Sequence, residues 1–171
     1  CLNKHSVVCV DRHHNLATCL IDRQEKSGIT DLFVEESEAL GMITPRTLLI
    51  ILDTHNPGFV ESGKLYESCK TVVVIDHHRK MVNHIDNAVI FYHEPFASSA
   101  SEMVTELLQY LGDGVVVNRT EAEALLAGIM LDTKNFVLKT GVRTFEAAAF
   151  LRRMGADTVE VRKLFAGSME S

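Results

Sequence analysis

Apolar runs of strand length alternate with helix-period patterns along the whole chain. His5 to Val10 (HSVVCV) reads as a strand, followed by a polar turn and a helix over Leu16 to Lys26. Asp31 to Val34 is a short strand. Thr47 to Leu52 (TLLIIL) and Thr71 to Ile75 (TVVVI) are the strongest strand signals. Both are unbroken rather than alternating, which predicts strands buried on both faces of a parallel sheet. A helix over Val60 to Cys69 joins them, giving a βαβ unit whose crossover is expected to be right-handed. Val89 to His93 is a further strand, and beyond it the chain turns helical. Ser99-x-x-Glu102 and Thr120-x-x-Glu123 are two capping-box patterns, each followed by apolar residues at helical spacing. Two more helices are predicted over Thr144 to Met154 and Thr158 to Phe165. The expected fold class is α/β: a Rossmann-like parallel sheet flanked by helices, with a helical C-terminal half.

Composition narrows the function classes. The chain has 171 residues, 46% apolar and 23% charged, which fits a single globular domain with a real core. Its net charge is -6, and no stretch concentrates Lys and Arg as a duplex-binding face requires. Long nucleic acid is therefore a poor partner. A small phosphorylated ligand stays compatible, because a bound metal supplies positive charge locally. Cys1, Cys9, Cys19 and Cys69 form no C-x-x-C pair and no zinc-like spacing, and read as reduced thiols of a cytoplasmic protein. No apolar run reaches the length of a membrane span, so no membrane contact is expected of this domain.

Two carboxylates stand directly after the two best strands, Asp53 after TLLIIL and Asp76 after TVVVI. Ligands of open parallel sheets bind at the carboxyl ends of the strands. Asp opening a turn is the plain alternative for either residue alone. Histidines lie behind both, in Asp53-Thr54-His55 and Asp76-His77-His78, and imidazoles beside carboxylates at a sheet edge suit a divalent metal. Asp11-Arg12-His13-His14 also follows an apolar run, but no second element points to it, and it reads as a solvated turn. A third acid, Asp132, lies on or just past an apolar helix in GIMLDTKNF. Oxygen and imidazole ligands alone favour Mn²⁺ or a similar octahedral ion over structural zinc, and two-metal hydrolysis of a phosphoester is the chemistry that set suits.

These motifs resemble a known family. LLIILDTHNPGFVES, VVVIDHHRK and LLAGIMLDTKNF together resemble the DHH phosphoesterase superfamily. EPFASSASEMVTELLQYL and KTGVRTFEAAAFLRRMGADTVEVRKLF resemble, more narrowly, the DHH domain of GdpP-type bacterial cyclic-di-AMP phosphodiesterases, enzymes of nucleotide signalling. The resemblance implies a catalytic set of Asp53, His77, His78 and Asp132, with two Mn²⁺ ions in the intact site. Asp53 would bridge both ions, His77 and Asp132 would ligate one, and His78 would face the substrate phosphate. Asp76 would support the site from behind. His55 and Arg143 are substrate-side candidates, as are Ser98 and Ser99, although helix capping alone accounts for Ser99. The implied substrate is a cyclic dinucleotide hydrolysed to its linear form. The alternatives are a RecJ-like or nanoRNase-like exonuclease on short oligonucleotides, a manganese pyrophosphatase, and a degenerate nucleotide-binding module.

The family's first motif, His-x-x-x-Asp-x-Asp, is not found, and His5 to Asp11 lacks its spacing. The expectation is a single DHH domain over 1–171 whose first motif lies before Cys1 and whose C-terminal substrate-binding domain lies after Ser171. On that view the 171 residues alone have feeble activity or none. The resemblance also implies a membrane-anchored native protein, and it leaves open whether that protein pairs as a homodimer.

Overall fold

The computed structural model describes residues 4–12, 17–112 and 115–166. They fall into two compact units, one spanning His5–Pro95 and the other made of Lys4 and the chain from Phe96 onward.

The first unit is α/β. β1 (Val8–Cys9) and β2 (Phe33–Val34) pair in parallel around α1 (Thr18–Lys26). α2 (Glu36–Gly41) follows, a six-residue helix that the apolar pattern does not announce. β3 (Leu48–Leu52), β4 (Thr71–Asp76) and β5 (Ile90–His93) form a second parallel sheet in that spatial order, and α3 (Gly63–Ser68) connects its first two strands. The parallel strands agree with the expected fold class, although among the described residues they form two sheets. The His13-His14 pair expected in a solvated turn lies outside the described residues.

β4 is central, and Val72 and Val74 are fully buried against Ile51 and Ile85. β3 departs from the expected burial on both faces. Ile51 is buried, but Leu48, Ile50 and Leu52 are 50%, 52% and 49% exposed. Side chains alternate faces along a strand, so the Leu49–Ile51 row joins the core while, among the described residues, nothing covers the other row. An unbroken apolar run cannot distinguish this edge strand from a central one. A smaller core of Val34, Ala39 and Leu65 ties β2, α2 and α3 together.

The second unit consists of α4 (Ala100–Tyr110), α5 (Arg119–Asp132), α6 (Val142–Arg153) and α7 (Thr158–Ala166). α4 starts as expected, with the Ser99 hydroxyl accepting from the Glu102 N–H. Its Glu102 carboxylate does not return to Ser99. It takes hydrogen bonds from the Ser98 hydroxyl at 2.5 Å and from Thr144 Oγ1 at 2.6 Å, which ties the start of α4 to the first turn of α6. The second capping box is displaced from the expected Thr120–Glu123 to Asn118–Glu121. Glu123 is instead buried and bonded to Arg119 and to the Asp157 N–H, so it is not free to serve a cap. α5 buries Ala122, Leu126, Ala127, Ile129 and Met130 and packs against α4, α6 and α7. Where α5 meets α4, a Cβ on Gly128 would lie 2.1 Å from Ser101 Oγ, so only glycine permits the approach. No described helix is long and apolar enough to cross a membrane.

Candidate metal centre

The site begins where β3 and β4 end. The Asp53 N–H still bonds to the Ile75 carbonyl, continuing the β3–β4 ladder by one residue. Its φ is 65°, a left-handed conformation that Asp tolerates better than most residues. The turn costs of the order of 1 kcal/mol, and strain of this kind gathers at functional sites. One strand further in, β4 closes on Asp76, and His77 and His78 leave the sheet immediately after it.

Ligand atoms of Asp53, His77 and His78 lie within 4.8 Å of one another. His77 Nε2 is 3.2 Å from Asp53 Oδ1, and His78 Nδ1 is 3.8 Å from the same oxygen. His77 is buried, whereas Asp53 and His78 are each more than half exposed. A carboxylate and two imidazoles this close form a donor set that fits a divalent cation.

Behind the cluster stands Asp76, with no exposed surface. Its Oδ1 accepts from His78 Nδ1 at 2.8 Å and from the His78 N–H at 3.1 Å. Its Oδ2 accepts from His55 Nδ1. Burial pushes the Asp76 carboxyl upward, but the hydrogen bonds from His55 and His78 outweigh it and hold the group below its ordinary range. The tautomer of His55 follows from its other nitrogen. The Met81 N–H donates to Nε2 at 2.9 Å, so the ring proton sits on Nδ1 and points at Asp76.

The remaining sequence candidates have other partners. His55, expected on the substrate side, is 2% exposed with both ring nitrogens engaged, which leaves none for a ligand. Ser98 and Ser99 are 1% exposed and are spent on Glu102 and on the α4 cap. Arg143 forks onto Glu106, Nε to Oε1 and Nη2 to Oε2, both at 2.7 Å. All four were expected on the substrate side, and in the structure each is engaged with protein partners. Asp132 is the exposed last residue of α5, in the helical unit. After it Lys134, Asn135 and Phe136 turn left-handed, at φ 47°, 58° and 65°. Thr133 braces that turn, its carbonyl accepting from Val137 and Leu138 and its hydroxyl from Phe136.

Sequence reasoning missed His93. It ends β5 opposite Asp76, and its Nε2 lies 2.5 Å from the His78 carbonyl oxygen. A single histidine closing a weak strand gave no signal of this contact.

A parallel sheet with an Asp-His-His triplet at its carboxyl edge, opposite a second strand-end Asp, defines a class. The chain belongs to the DHH family: residues 4–129 match the DHH family, N-terminal domain. Over 136 residues it is 50% identical to the cyclic-di-AMP phosphodiesterase GdpP of Geobacillus thermodenitrificans, a match covering 80% of this chain and 21% of that protein. It thus spans about a fifth of that relative's length. It is 36% identical over 122 residues to a Thermotoga maritima protein named "Probable manganese-dependent inorganic pyrophosphatase", covering 67% of this chain and 22% of that protein. In fold it is similar to an exopolyphosphatase-related protein from Bacteroides fragilis, with a TM-score of 0.64 at 22% identity, covering 84% of this chain and 39% of that one.

Proposed function

We propose that the chain, taken over 1–171 as one DHH domain, is the metal-binding part of a phosphodiesterase that hydrolyses cyclic di-AMP to the linear dinucleotide. The observation that supports this most is the convergence of Asp53, His77 and His78 at the ends of β3 and β4, with Asp76 wired behind them. The similarity to a cyclic-di-AMP phosphodiesterase at 50% identity supports the substrate class. Mn²⁺ is the proposed ion, held by Asp53 and His77, with Asp132 added by the family resemblance alone. Bound there, such an ion supplies Lewis acidity and lowers the pKa of a coordinated water.

The chain's own residues would do the rest. Asp53 contributes charge at the strand end. Asp76 accepts from His78 Nδ1, so the ring's remaining nitrogen, Nε2, is the one left to meet substrate. With Nδ1 held by that carboxylate, Nε2 faces outward, where a proton on it would be donated to a phosphate oxygen or a leaving alkoxide. His55 fixes Asp76 from the far side and takes no direct part. The test is hydrolysis by the natural full-length polypeptide with Mn²⁺, comparing cyclic di-AMP, linear pApA, short RNA oligomers and pyrophosphate. Cyclic di-AMP should be the preferred substrate, and Asp53→Ala should abolish the activity. Near wild-type turnover by that variant, or preference for another member of the panel, would sink the proposal.

A further inference from the structure

We propose that His93 is a positioning residue for this hydrolysis: its Nε2–H holds the His78 carbonyl and so fixes the main chain that aims the His78 imidazole. The inference rests on the reading above, in which His78 faces substrate.

A carbonyl oxygen can only accept, so at 2.5 Å the hydrogen must sit on His93 Nε2. The donor stands on a rigid support. His93 is the last residue of β5 and lies in register with Asp76, so the strand pairing that buries Asp76 also sets where the ring begins. The His93 ring meets His55 edge-on, with centroids 5.3 Å apart and planes at 68°, and lies 5.8 Å from the Phe91 ring. His55 cannot give way easily, because Asp76 and the Met81 N–H occupy its two nitrogens.

His78 is therefore held at three points. Its N–H and its Nδ1 both reach Asp76 Oδ1, and its carbonyl receives His93. The side chain itself is 56% exposed, so packing does little to hold it. The two bonds to Asp76 share one acceptor atom on one side of the residue, and about a single anchor the residue can still pivot. The His93 bond is a second anchor at the opposite end of His78, and two anchors remove that freedom. Reacting groups must be held to about 0.5 Å, and removing an outer partner that supplies this order typically lowers activity about 10- to 100-fold. His77 is aimed at Asp53 and precedes the clamped carbonyl, so metal affinity should not follow the clamp.

The experiment uses the full-length polypeptide and four forms of position 93. His93→Phe keeps a ring against His55 and Phe91 but has no donor. His93→Gln places an amide N–H near the original Nε2, whereas His93→Asn places one a bond short of it. With cyclic di-AMP as substrate, His93→Phe should lose about tenfold in kcat with KM and Mn²⁺ affinity within about twofold of wild type. His93→Gln should recover most of the loss and His93→Asn should not. A merely structural role would affect Asn and Gln alike, so equal kcat for those two variants overturns the proposal even if the Phe variant folds poorly. So does an unchanged kcat in His93→Phe, or a loss that follows weakened Mn²⁺ binding. A wild-type protein without cyclic di-AMP hydrolysis would instead overturn the functional reading, and this inference with it.

Discussion

His55 donates from Nδ1 to Oδ2 of Asp76, and the two side chains are 2% and 0% exposed. A carboxylate in that setting is costly unless its oxygens are satisfied, and here three donors serve them: His55 Nδ1–H, the His78 N–H and His78 Nδ1–H. The triplet residues consequently differ in kind. Asp76 is an internal support, His77 is buried beside Asp53, and His78 is open to solvent.

Asp76→Asn should be far from conservative. An amide has one acceptor oxygen for three donors, and its NH₂ must face a ring N–H. His55 cannot relieve this by switching tautomer, because the Met81 N–H already occupies Nε2. The expected result is a 10- to 100-fold loss of turnover and a stability loss of about 1–3 kcal/mol. Steady-state kinetics and urea unfolding check both, and a variant with wild-type values in each would contradict this account of Asp76.

Much of the candidate site was legible because Asp53 and the Asp76-His77-His78 triplet directly follow the two clearest apolar runs. What a polar side chain bonds to was not legible. Arg143 finds Glu106 and Thr144 finds Glu102, and those pairings exist only once helices pack. The exposed row of β3 escaped for a related reason, since its exposure depends on which strands and helices flank it. The shift of the α5 cap to Asn118 was a competition between two overlapping patterns, decided by the burial of Glu123.

Glu102 joins the two segments that most resemble the cyclic-dinucleotide branch, ASSASE and GVRTFE. Thr144 Oγ1 donates to its buried carboxylate at 2.6 Å and accepts from the Gly141 N–H at 3.1 Å. Thr144→Val keeps the shape but removes both bonds, and it should cost about 1.5–3 kcal/mol, the usual range for a hydrogen bond to a charged group. Thr144→Ser should cost less. Chemical denaturation giving the reverse order would refute the carboxylate staple.

Gly128 sits inside α5, where glycine is intrinsically poor. Alanine there gains helix propensity, but its Cβ would meet Ser101 Oγ at 2.1 Å and Ser101 Cβ at 2.9 Å. Overpacking should dominate, for a net loss of about 1–3 kcal/mol. Ser101→Gly removes both clashing atoms and should rescue Gly128→Ala, while Ser101→Ala removes only the oxygen and should rescue it less. Equal rescue by the two second-site changes would mean that the helix contact is not what limits position 128.

The start of α7 provides a pH-dependent element well away from the metal ligands in sequence. Asp157 Oδ1 accepts from the Val159 N–H at 2.8 Å, and that backbone bond is the main reason its carboxyl lies below the ordinary 3.8, with partial desolvation opposing. Arg119 and Arg152 add smaller pulls in the same downward direction. A depressed folded-state value means that the stabilisation is fully present above pH 3.8 and is lost as pH falls below it through the lowered value. The Val159 amide proton shift, followed by NMR, should therefore be flat at neutral pH and inflect below 3.8. Asp157→Asn retains a good cap but has nothing to titrate, so its Val159 amide should show no such inflection. An inflection above 3.8 in the wild type, or the same inflection in the Asn variant, would show that Asp157 is not the group holding this helix end.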